Sequence, residues 1–190
     1  MEQVLLHHMR PQVCHVLDPL QFAYQEKVGV EDAITSMLHR SLSNLDNGSR
    51  AVRITFLDFS SAFNTIQPLL LRDKLTEMGV STHLVAWITD YLTGRPQYVR
   101  LGDCKSDTVV SSTGALQVAV LSPVLFTLYT SDFQYNSESC HVQRFTDDTA
   151  IICCIRSGQE YRKLIQDFTW CDLNHLYLKT TKTRIDCLIT

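Results

Sequence analysis

The sequence predicts an α+β fold in which helices pack against an antiparallel sheet. Three patterns support this class: a helical apolar stripe over residues 31–45, a strand-like alternation over 51–59, and a two-strand pattern over 141–155. The chain has 190 residues, of which 45% are hydrophobic and 19% charged, as expected for one globular domain. No repeat or linker-like segment divides it.

The helix over 31–45 and the strand that comes after it are the clearest elements. Apolar residues recur at spacings of three and four before Asp46-Asn47-Gly48, which favours an amphipathic helix ending there: Ala33, Ile34, Met37, Leu38, Leu42 and Leu45. Val52, Ile54 and Phe56 then alternate with other residues, which predicts a strand with Asp58 at its carboxyl end.

The middle of the chain predicts helices and a hairpin. One helix begins at Pro68 and ends at Gly79, and another runs from Ser81 or Thr82 to Thr93. Residues 97–101 and 107–112 are typical of a hairpin with turn chemistry at Gly102-Asp103. A further helix is expected to have Ser122 as its N-cap and Pro123 at its first position.

The last part of the chain predicts a second hairpin, a helix and a strand. Residues 141–145 and 149–155 form the hairpin, with Asp147-Asp148 at its tip. An amphipathic pattern predicts a helix over about 159–176, and residues 183–190 are typical of a strand. Because the chain stops within that strand, we interpret the sequence as one that has been cut short.

Charge, hydropathy and cysteine content narrow the function classes. A formal charge of −3 does not favour a strongly basic nucleic-acid binder, although local basic positions remain. No apolar stretch is long enough to span a bilayer and the first residues lack a signal-peptide pattern, so we expect an intracellular protein without a membrane partner, nuclear or cytoplasmic. Seven cysteines without zinc-ligand spacing predict reduced thiols, with Cys153-Cys154 buried.

Three aspartates carry the strongest chemical signal. Asp58 and the pair Asp147-Asp148 each come directly after a predicted strand, so each is held at the end of a rigid element. Carboxylates brought together repel one another unless divalent cations neutralise them, and such cations can in turn hold a triphosphate. Either acidic position alone is better explained as an ordinary turn, in which aspartate is a favoured residue. Together they predict a two-metal phosphoryl-transfer site.

Five segments resemble the reverse transcriptases of non-LTR (LINE-type) retrotransposons, in the same order and over nearly the whole chain. The family's D-F-x-x-A-F motif resembles LDFSSAFNTI, its F/Y-x-D-D motif resembles FTDD, and its G-x-P-Q-G-x-x-L-S-P segment is similar to GALQVAVLSP. Residues 17–34 resemble its fingers region, and residues 170–183 resemble its W-C-x-x-N segment. The resemblance implies a polymerase palm-type antiparallel sheet with packed helices, a partial fingers region at about 1–50, and mostly palm at about 51–190.

The resemblance also implies roles for individual residues. Asp58, Asp147 and the backbone carbonyl of Phe59 would bind two Mg²⁺ ions, for which Mn²⁺ could substitute, and Asp148 would support the site. Phe63 would exclude a 2′-hydroxyl and so favour deoxynucleotides, although core packing is the alternative for this ring. Nucleotide contacts would come from Gln117 and Lys182. The implied partners are an RNA template, a DNA primer and deoxynucleoside triphosphates; the oligomeric state is left open.

Departures from the family pattern bear on activity. Leu116 and Val118 replace the proline and the second glycine of P-Q-G, and a β-branched residue fits poorly where backbone must approach a ligand. By the resemblance, we also expect the chain to begin at the fingers and end at the edge of the palm, without the family's endonuclease and thumb. These departures predict weak or absent catalysis by this fragment. The alternative function is a non-catalytic RNA-binding or interaction module that keeps the palm fold; a ribonucleotide polymerase is disfavoured by Phe63.

Overall fold

The computed structural model describes residues 2–23, 25, 27–49, 51–59, 61–116, 119–133, 140–155, 169–177 and 184–189. The described chain forms two compact units, each built from two chain segments. One unit contains residues 1–17 and 61–129, and the other contains residues 18–60 and 130–190. Helices and antiparallel strands are both present, which confirms the predicted class.

The described helices and strands succeed one another along the chain in this order: α1 Glu2–Val13, α2 Val30–Asp46, β1 Ala51–Leu57, a 3₁₀ turn Ala62–Asn64, α3 Pro68–Glu77, α4 Thr82–Leu92, β2 Arg95–Gln97, β3 Arg100–Leu101, β4 Cys104–Lys105, β5 Val109–Ser111, α5 Leu121–Tyr129, β6 Cys140–Phe145, β7 Asp148–Ile155, α6 Thr169–Leu173 and β8 Arg184–Ile189. None of the described helices is both long enough and apolar enough to cross a membrane.

An antiparallel sheet of order β6-β7-β1-β8 organises the unit that contains residues 18–60 and 130–190. β1 is an inner strand of this sheet: it pairs with β7 from Ala51↔Ile155 to Leu57↔Thr149, and with β8 on its other side. β6 and β7 form a hairpin that closes at Phe145↔Asp148. The register therefore brings the carboxyl end of β1 to the hairpin tip.

Each face of the sheet has its own apolar cluster because strand side chains alternate between faces. On one face, Met37 and Leu45 of α2 pack against a buried set from β1 and β7: Val52, Ile54, Ala150, Ile152 and Cys154. On the other face the buried cluster contains Leu57, Phe133, Cys140, Val142, Ile151 and Cys153. The predicted burial of Cys153-Cys154 is confirmed, with the two side chains on opposite faces.

The unit that contains residues 1–17 and 61–129 is built mainly from helices. α3 packs against α4 and α5, and α1 contacts α5. The fully buried side chains of this unit include Met9, Leu71, Leu75, Ile88, Leu92, Leu125 and Tyr129. Two short antiparallel pairs, β2 with β5 and β3 with β4, form an exposed arm between α4 and α5.

Several predicted boundaries were wrong. The hairpin over 97–112 is interrupted into two short pairs. α5 begins at Leu121, so Ser122 lies within the helix and its hydroxyl donates to the carbonyl of Leu116 instead of capping. Asp148 is the first residue of β7. α1 was not predicted, and of the helix expected over 159–176 only the part from Thr169 lies within the described residues.

Candidate active site at the β1 and β7 strand ends

The two acidic positions meet at one edge of the sheet. Asp58 comes directly after Leu57, which pairs with Thr149, and Asp148 directly precedes Thr149. Continuing the register by one residue places Asp58 opposite Asp148 on neighbouring strands, a spacing at which facing side chains interact. Asp58 is half-buried and Asp148 is exposed. The strand ends that carry Asp58 and Asp148 therefore adjoin, and the metal-binding role of these carboxylates stays a prediction.

The turn that carries Asp147 has an unusual backbone. Thr146 and Asp147 form a two-residue loop between Phe145 and Asp148, and Thr146 has a φ of 59°. A positive φ is a conformation that glycine adopts readily and in which a β-branched residue such as threonine is strained. The Thr146 hydroxyl donates a hydrogen bond of 2.9 Å to the carboxylate of Asp147. This bond orients Asp147 within the turn.

A cavity of about 440 Å³ lies between α2 and the sheet, with Asp58 and Asp148 in its wall. The rest of its lining comes from α2, the strand ends and the hairpin: Val30, Ala33, Ile34, Met37, Phe56, Leu57, Gln143, Arg144, Phe145, Thr149 and Ala150. Gln143 is buried, and its amide donates to the carbonyl of Ala33 at 2.7 Å. The carboxylates thus occupy one side of a largely apolar, preformed pocket.

The acidic side chains fit a hard divalent cation in donor chemistry. Mg²⁺ prefers oxygen ligands and is commonly held by one or two carboxylates together with water and substrate phosphates. Asp58 and Asp148 supply two carboxylates to one cavity, whereas Asp147, the predicted partner of Asp58 in metal binding, is not among the residues that line it and lies in the adjoining turn. Within the described ranges, no three His, Cys, Asp or Glu side chains cluster closely enough to hold one ion. A bound cation would therefore need ligands from substrate or solvent as well.

Arg144 connects β6 of the hairpin to chain segments on the side of β6 that faces away from β7. It is 3% exposed, its guanidinium donates to the carbonyl of Phe133, and one of its nitrogens lies 3.8 Å from a carboxylate oxygen of Asp18. Its backbone bonds Leu20 and Phe22, each at 2.9 Å. Burial lowers the pKa of Arg144, while Asp18 and Asp132 act in the opposite direction. Sequence reasoning missed this residue, because an arginine in a strand ordinarily signals an exposed face.

Phe59 and Phe63 lie just after the first acidic position. Phe59 is buried. Phe63, in the helical unit, is half-buried with its ring packed edge-to-face on Phe126 at 5.6 Å between centroids. This contact is what core packing of Phe63 would produce. The role of Phe63 in excluding a 2′-hydroxyl stays a prediction.

The segment after Gly114 is tied closely to the turn that contains Phe63. The amide of Gly114 donates to Ile66, and that of Ala115 to Phe63, both at 2.7 Å. Gly114 has a φ of 73°, and a Cβ there would lie 2.7 Å from the Cα of Asn64. The glycine is required both by its conformation and by this backbone contact.

Two further residues fix the ends of the same loop and were not predicted. The Arg95 guanidinium donates to the carbonyls of Thr113 at 2.9 Å and Gly114 at 2.6 Å. The Glu2 carboxylate accepts from the amide of Val120 and from the Tyr91 hydroxyl, each at 2.8 Å. Burial and this hydrogen bond raise the pKa of Tyr91 to about 12. No sequence pattern links residues so far apart.

The remaining predicted site residues are not placed by the structure. Gln117 and Val118 lie between the described segments that end at Leu116 and resume at Ala119, and Lys182 precedes β8. All three fall outside the described residues.

Solved structures similar to this chain include telomerases. Telomerase from Candida tropicalis in complex with the TWJ fragment of telomeric RNA aligns with a TM-score of 0.70 and 12% identity, covering 97% of this chain and 33% of that one. Telomerase from Candida albicans in complex with the same kind of fragment gives 0.68 and 11%, covering 97% and 35%. An apo C. tropicalis telomerase truncated from the C-terminal domain gives 0.67 and 11%, covering 98% and 40%.

These similarities confirm the palm–fingers fold, and the chain spans about a third of the length of the telomerases it matches. No curated protein matches it in sequence. A family model described as reverse transcriptase (RNA-dependent DNA polymerase) matches residues 1–187. With nearly every residue inside that match and two acidic strand ends adjoining in the sheet, the chain belongs to the reverse transcriptase (RNA-dependent DNA polymerase) family.

Proposed function

We propose that this chain is the fingers–palm part of a LINE-type reverse transcriptase, which adds deoxynucleotides to a DNA primer on an RNA template. The supporting observation is the register that brings Asp58 and Asp148 into the wall of one cavity, with Asp147 in the adjoining turn. The order of the five LINE-like motifs supports the finer type. Two of the telomerases of similar fold are in complex with a fragment of telomeric RNA, which is consistent with an RNA partner here.

In this proposal the side chains of the chain supply negative charge and hold the reacting groups in position. Asp58 and Asp148 present negative charge at one sheet edge, and the Thr146 hydroxyl keeps Asp147 oriented in its turn. Divalent cations bound there would lower the pKa of a primer 3′-hydroxyl and neutralise a triphosphate. The Phe63 ring, packed against Phe126, would oppose a ribose 2′-hydroxyl because it offers bulk and no hydrogen-bond partner.

Primer extension on an RNA template tests the proposal. The full chain with Mg²⁺ and deoxynucleotides is compared with Asp58→Asn and with Asp46→Asn, whose exposed carboxylate belongs to the last residue of α2 and not to the cavity wall. We expect Asp58→Asn to lower incorporation by roughly 10²-fold or more, since metal-bound charge contributes several kcal/mol. Measurable incorporation that is equal in wild type and Asp58→Asn would contradict the proposal.

Phe63 gives a second, independent readout of the same assay. Phe63→Ala is expected to raise ribonucleotide incorporation relative to deoxynucleotide incorporation, because a smaller side chain leaves room for the 2′-hydroxyl. Phe126→Ala is the control for lost packing alone, since it removes the ring partner of Phe63 and not Phe63 itself. An unchanged sugar preference in Phe63→Ala would assign that ring to core packing only.

A second candidate function is RNA binding without catalysis. It is favoured by Leu116 and Val118, which replace the family's proline and glycine beside the proposed nucleotide position. This function requires no metal carboxylate, so RNA affinity should be the same in wild type and Asp58→Asn.

If Val118 is the cause of weak catalysis, Val118→Gly raises incorporation because glycine permits close backbone approach.

A further inference from the structure

Two cysteines face each other across the hairpin that carries Asp147 and Asp148. Cys140, the first residue of β6, is paired with Cys153 of β7. The hairpin loop has two residues, so its closing pair, Phe145↔Asp148, is hydrogen-bonded. Hydrogen-bonded and non-hydrogen-bonded pairs alternate along an antiparallel ladder. Cys140↔Cys153 lies five positions from the closing pair and is therefore a non-hydrogen-bonded pair.

Such a pair has the backbone spacing that a disulfide needs. Directly opposite residues at non-hydrogen-bonded positions have Cα atoms about 4.5 Å apart, within the range of about 4.4–6.8 Å found for disulfides. The two thiols already share a hydrogen bond. Cys140 is 4% exposed and Cys153 is 2% exposed, and both belong to the apolar cluster with Phe133, Val142 and Ile151. The sulfur atoms are thus held together by packing.

Neighbouring cysteines lack this arrangement. Cys154 is adjacent to Cys153 in sequence, yet it belongs to the cluster on the α2 face of the sheet. Cys187 of β8 is paired with Arg53, which is paired in turn with Cys153, so β1 separates the two cysteine positions. Two strand spacings of about 4.8 Å exceed the reach of a disulfide. The ladder therefore selects Cys140 as the partner of Cys153.

We propose that Cys140 and Cys153 form a thiol-oxidation site that closes into a cross-strand disulfide between β6 and β7 when the protein meets a peroxide. One thiol attacks hydrogen peroxide, the O–O bond breaks, and a sulfenic acid and water form. The second thiol then attacks the sulfur of that sulfenic acid, the S–O bond breaks, and the hydroxyl leaves as water with the proton of the second thiol. Two thiols and one peroxide become one disulfide and two waters.

The oxidation is slow and confined to the buried pair. A hydrogen bond with the Cys140 thiol, together with burial, raises the pKa of Cys153, which keeps the Cys153 thiol protonated at neutral pH. Hydrogen peroxide is close to water in size, so it enters sites that larger disulfide reagents do not. The resulting bond joins an edge strand to its neighbour and fixes the register of the hairpin, since a one-residue slip would oppose Cys140 with another residue.

Peptide mapping of the full chain tests the proposal. Cys14→Ser and Cys104→Ser remove the two exposed thiols among the described residues, so that links between molecules do not form. The protein is treated with hydrogen peroxide, quenched, alkylated under denaturing conditions, digested and analysed by mass spectrometry. We expect a peptide pair linked through Cys140 and Cys153 that dithiothreitol separates. We also expect a Tm higher by roughly 5–10 °C, because the bond closes a short loop.

Two variants make the assignment specific. Cys154→Ser changes a buried thiol one residue away on the other sheet face, and it should leave the linked pair and the Tm shift intact. Cys140→Ser should abolish both. If Cys140→Ser does not fold, the mapping in the Cys14→Ser, Cys104→Ser background decides alone. Recovery of both residues as alkylated thiols, conversion of Cys153 to a sulfinic acid, or linkage of either to Cys154, Cys171 or Cys187 would overturn the proposal.

Discussion

At the scale of single residues, two positions have an unusual backbone conformation with positive φ: one lies in the turn that carries Asp147, and the other lies at the start of the loop after Gly114. Thr146 occupies the first position of the turn that carries Asp147, with a positive φ that β-branched residues avoid. Gly114 occupies a position where any side chain would meet the backbone of Asn64. The Thr146 conformation places the Asp147 carboxylate in one unit, and the Gly114 conformation sets the path of the loop in the other.

Thr146→Gly should stabilise the protein. A left-handed conformation costs a β-branched residue roughly 1–2 kcal/mol, and glycine avoids that cost while losing somewhat more backbone entropy. We expect the free energy of unfolding to rise by about 0.5–1 kcal/mol in denaturant titrations. Thr113→Gly is the control, since Thr113 is exposed and outside the left-handed region. Equal losses of stability in both variants would show that the Thr146 backbone is unstrained.

Gly114→Ala should destabilise the protein more than Gly102→Ala. Both glycines have positive φ, 73° and 59°, so both substitutions carry the conformational cost of about 1–2 kcal/mol. Only Gly114 also has backbone atoms of Asn64 within 2.7–2.9 Å of the new Cβ, while nothing lies within 4 Å at Gly102. We expect a loss of about 2–4 kcal/mol for Gly114→Ala by thermal or denaturant unfolding. Similar losses at both positions would refute the close approach.

At the scale of elements, the hairpin of β6 and β7 depends on a segment far earlier in the chain. Gln21 forms an isolated parallel bridge with Arg144, and the Asp18 carboxylate faces the buried guanidinium. The hairpin is thus braced on the edge opposite to β1. This bracing explains how an otherwise exposed edge strand holds the turn that carries the acidic pair.

Breaking this ion pair should cost much more than breaking a surface one. Arg144→Leu leaves Asp18 and the carbonyl of Phe133 without their buried partner, and we expect about 3–5 kcal/mol less stability. Arg72→Leu breaks the exposed pair with Asp73 and should change stability by less than about 1 kcal/mol. Denaturant titrations and a double-mutant cycle with Asp18→Asn measure both effects. Additive losses for Arg144→Leu and Asp18→Asn would contradict the coupling.

The elements also show which features the sequence could and could not predict. β1 and the hairpin were recognised because apolar residues alternate along them, and α2 because its stripe has helical spacing. α1 lacked such a signal and contains Pro11 in its last turn. The start of α5 was misplaced because Ser122-Pro123 looks like a cap, whereas every residue of the helix except the half-buried Pro123 is buried and tertiary packing sets its beginning.

At the scale of the whole molecule, the reverse transcriptase family and the adjoining of two acidic strand ends were predictable from ordered motifs and strand patterns, while the LINE type stays a proposal. The pairing of β1 with β7 could not be predicted from the pattern of either segment alone, because it depends on contacts between residues about a hundred positions apart. Arg144, Arg95 and Glu2 were missed for the same reason: their roles arise from partners distant in sequence. The fingers and palm boundary near residue 50 and the roles of Gln117 and Lys182 stay predictions.

The function proposed above depends on the binding of a divalent cation at the edge formed by Asp58 and Asp148. Titration of the full chain with Mn²⁺, with the free ion measured by electron paramagnetic resonance, reports this binding directly whether or not the chain extends a primer. We expect Asp58→Asn and Asp148→Asn each to weaken Mn²⁺ binding by roughly tenfold or more, because each removes one of few carboxylate ligands, while Asp46→Asn leaves it unchanged. Wild-type affinity in both Asp58→Asn and Asp148→Asn would contradict the account.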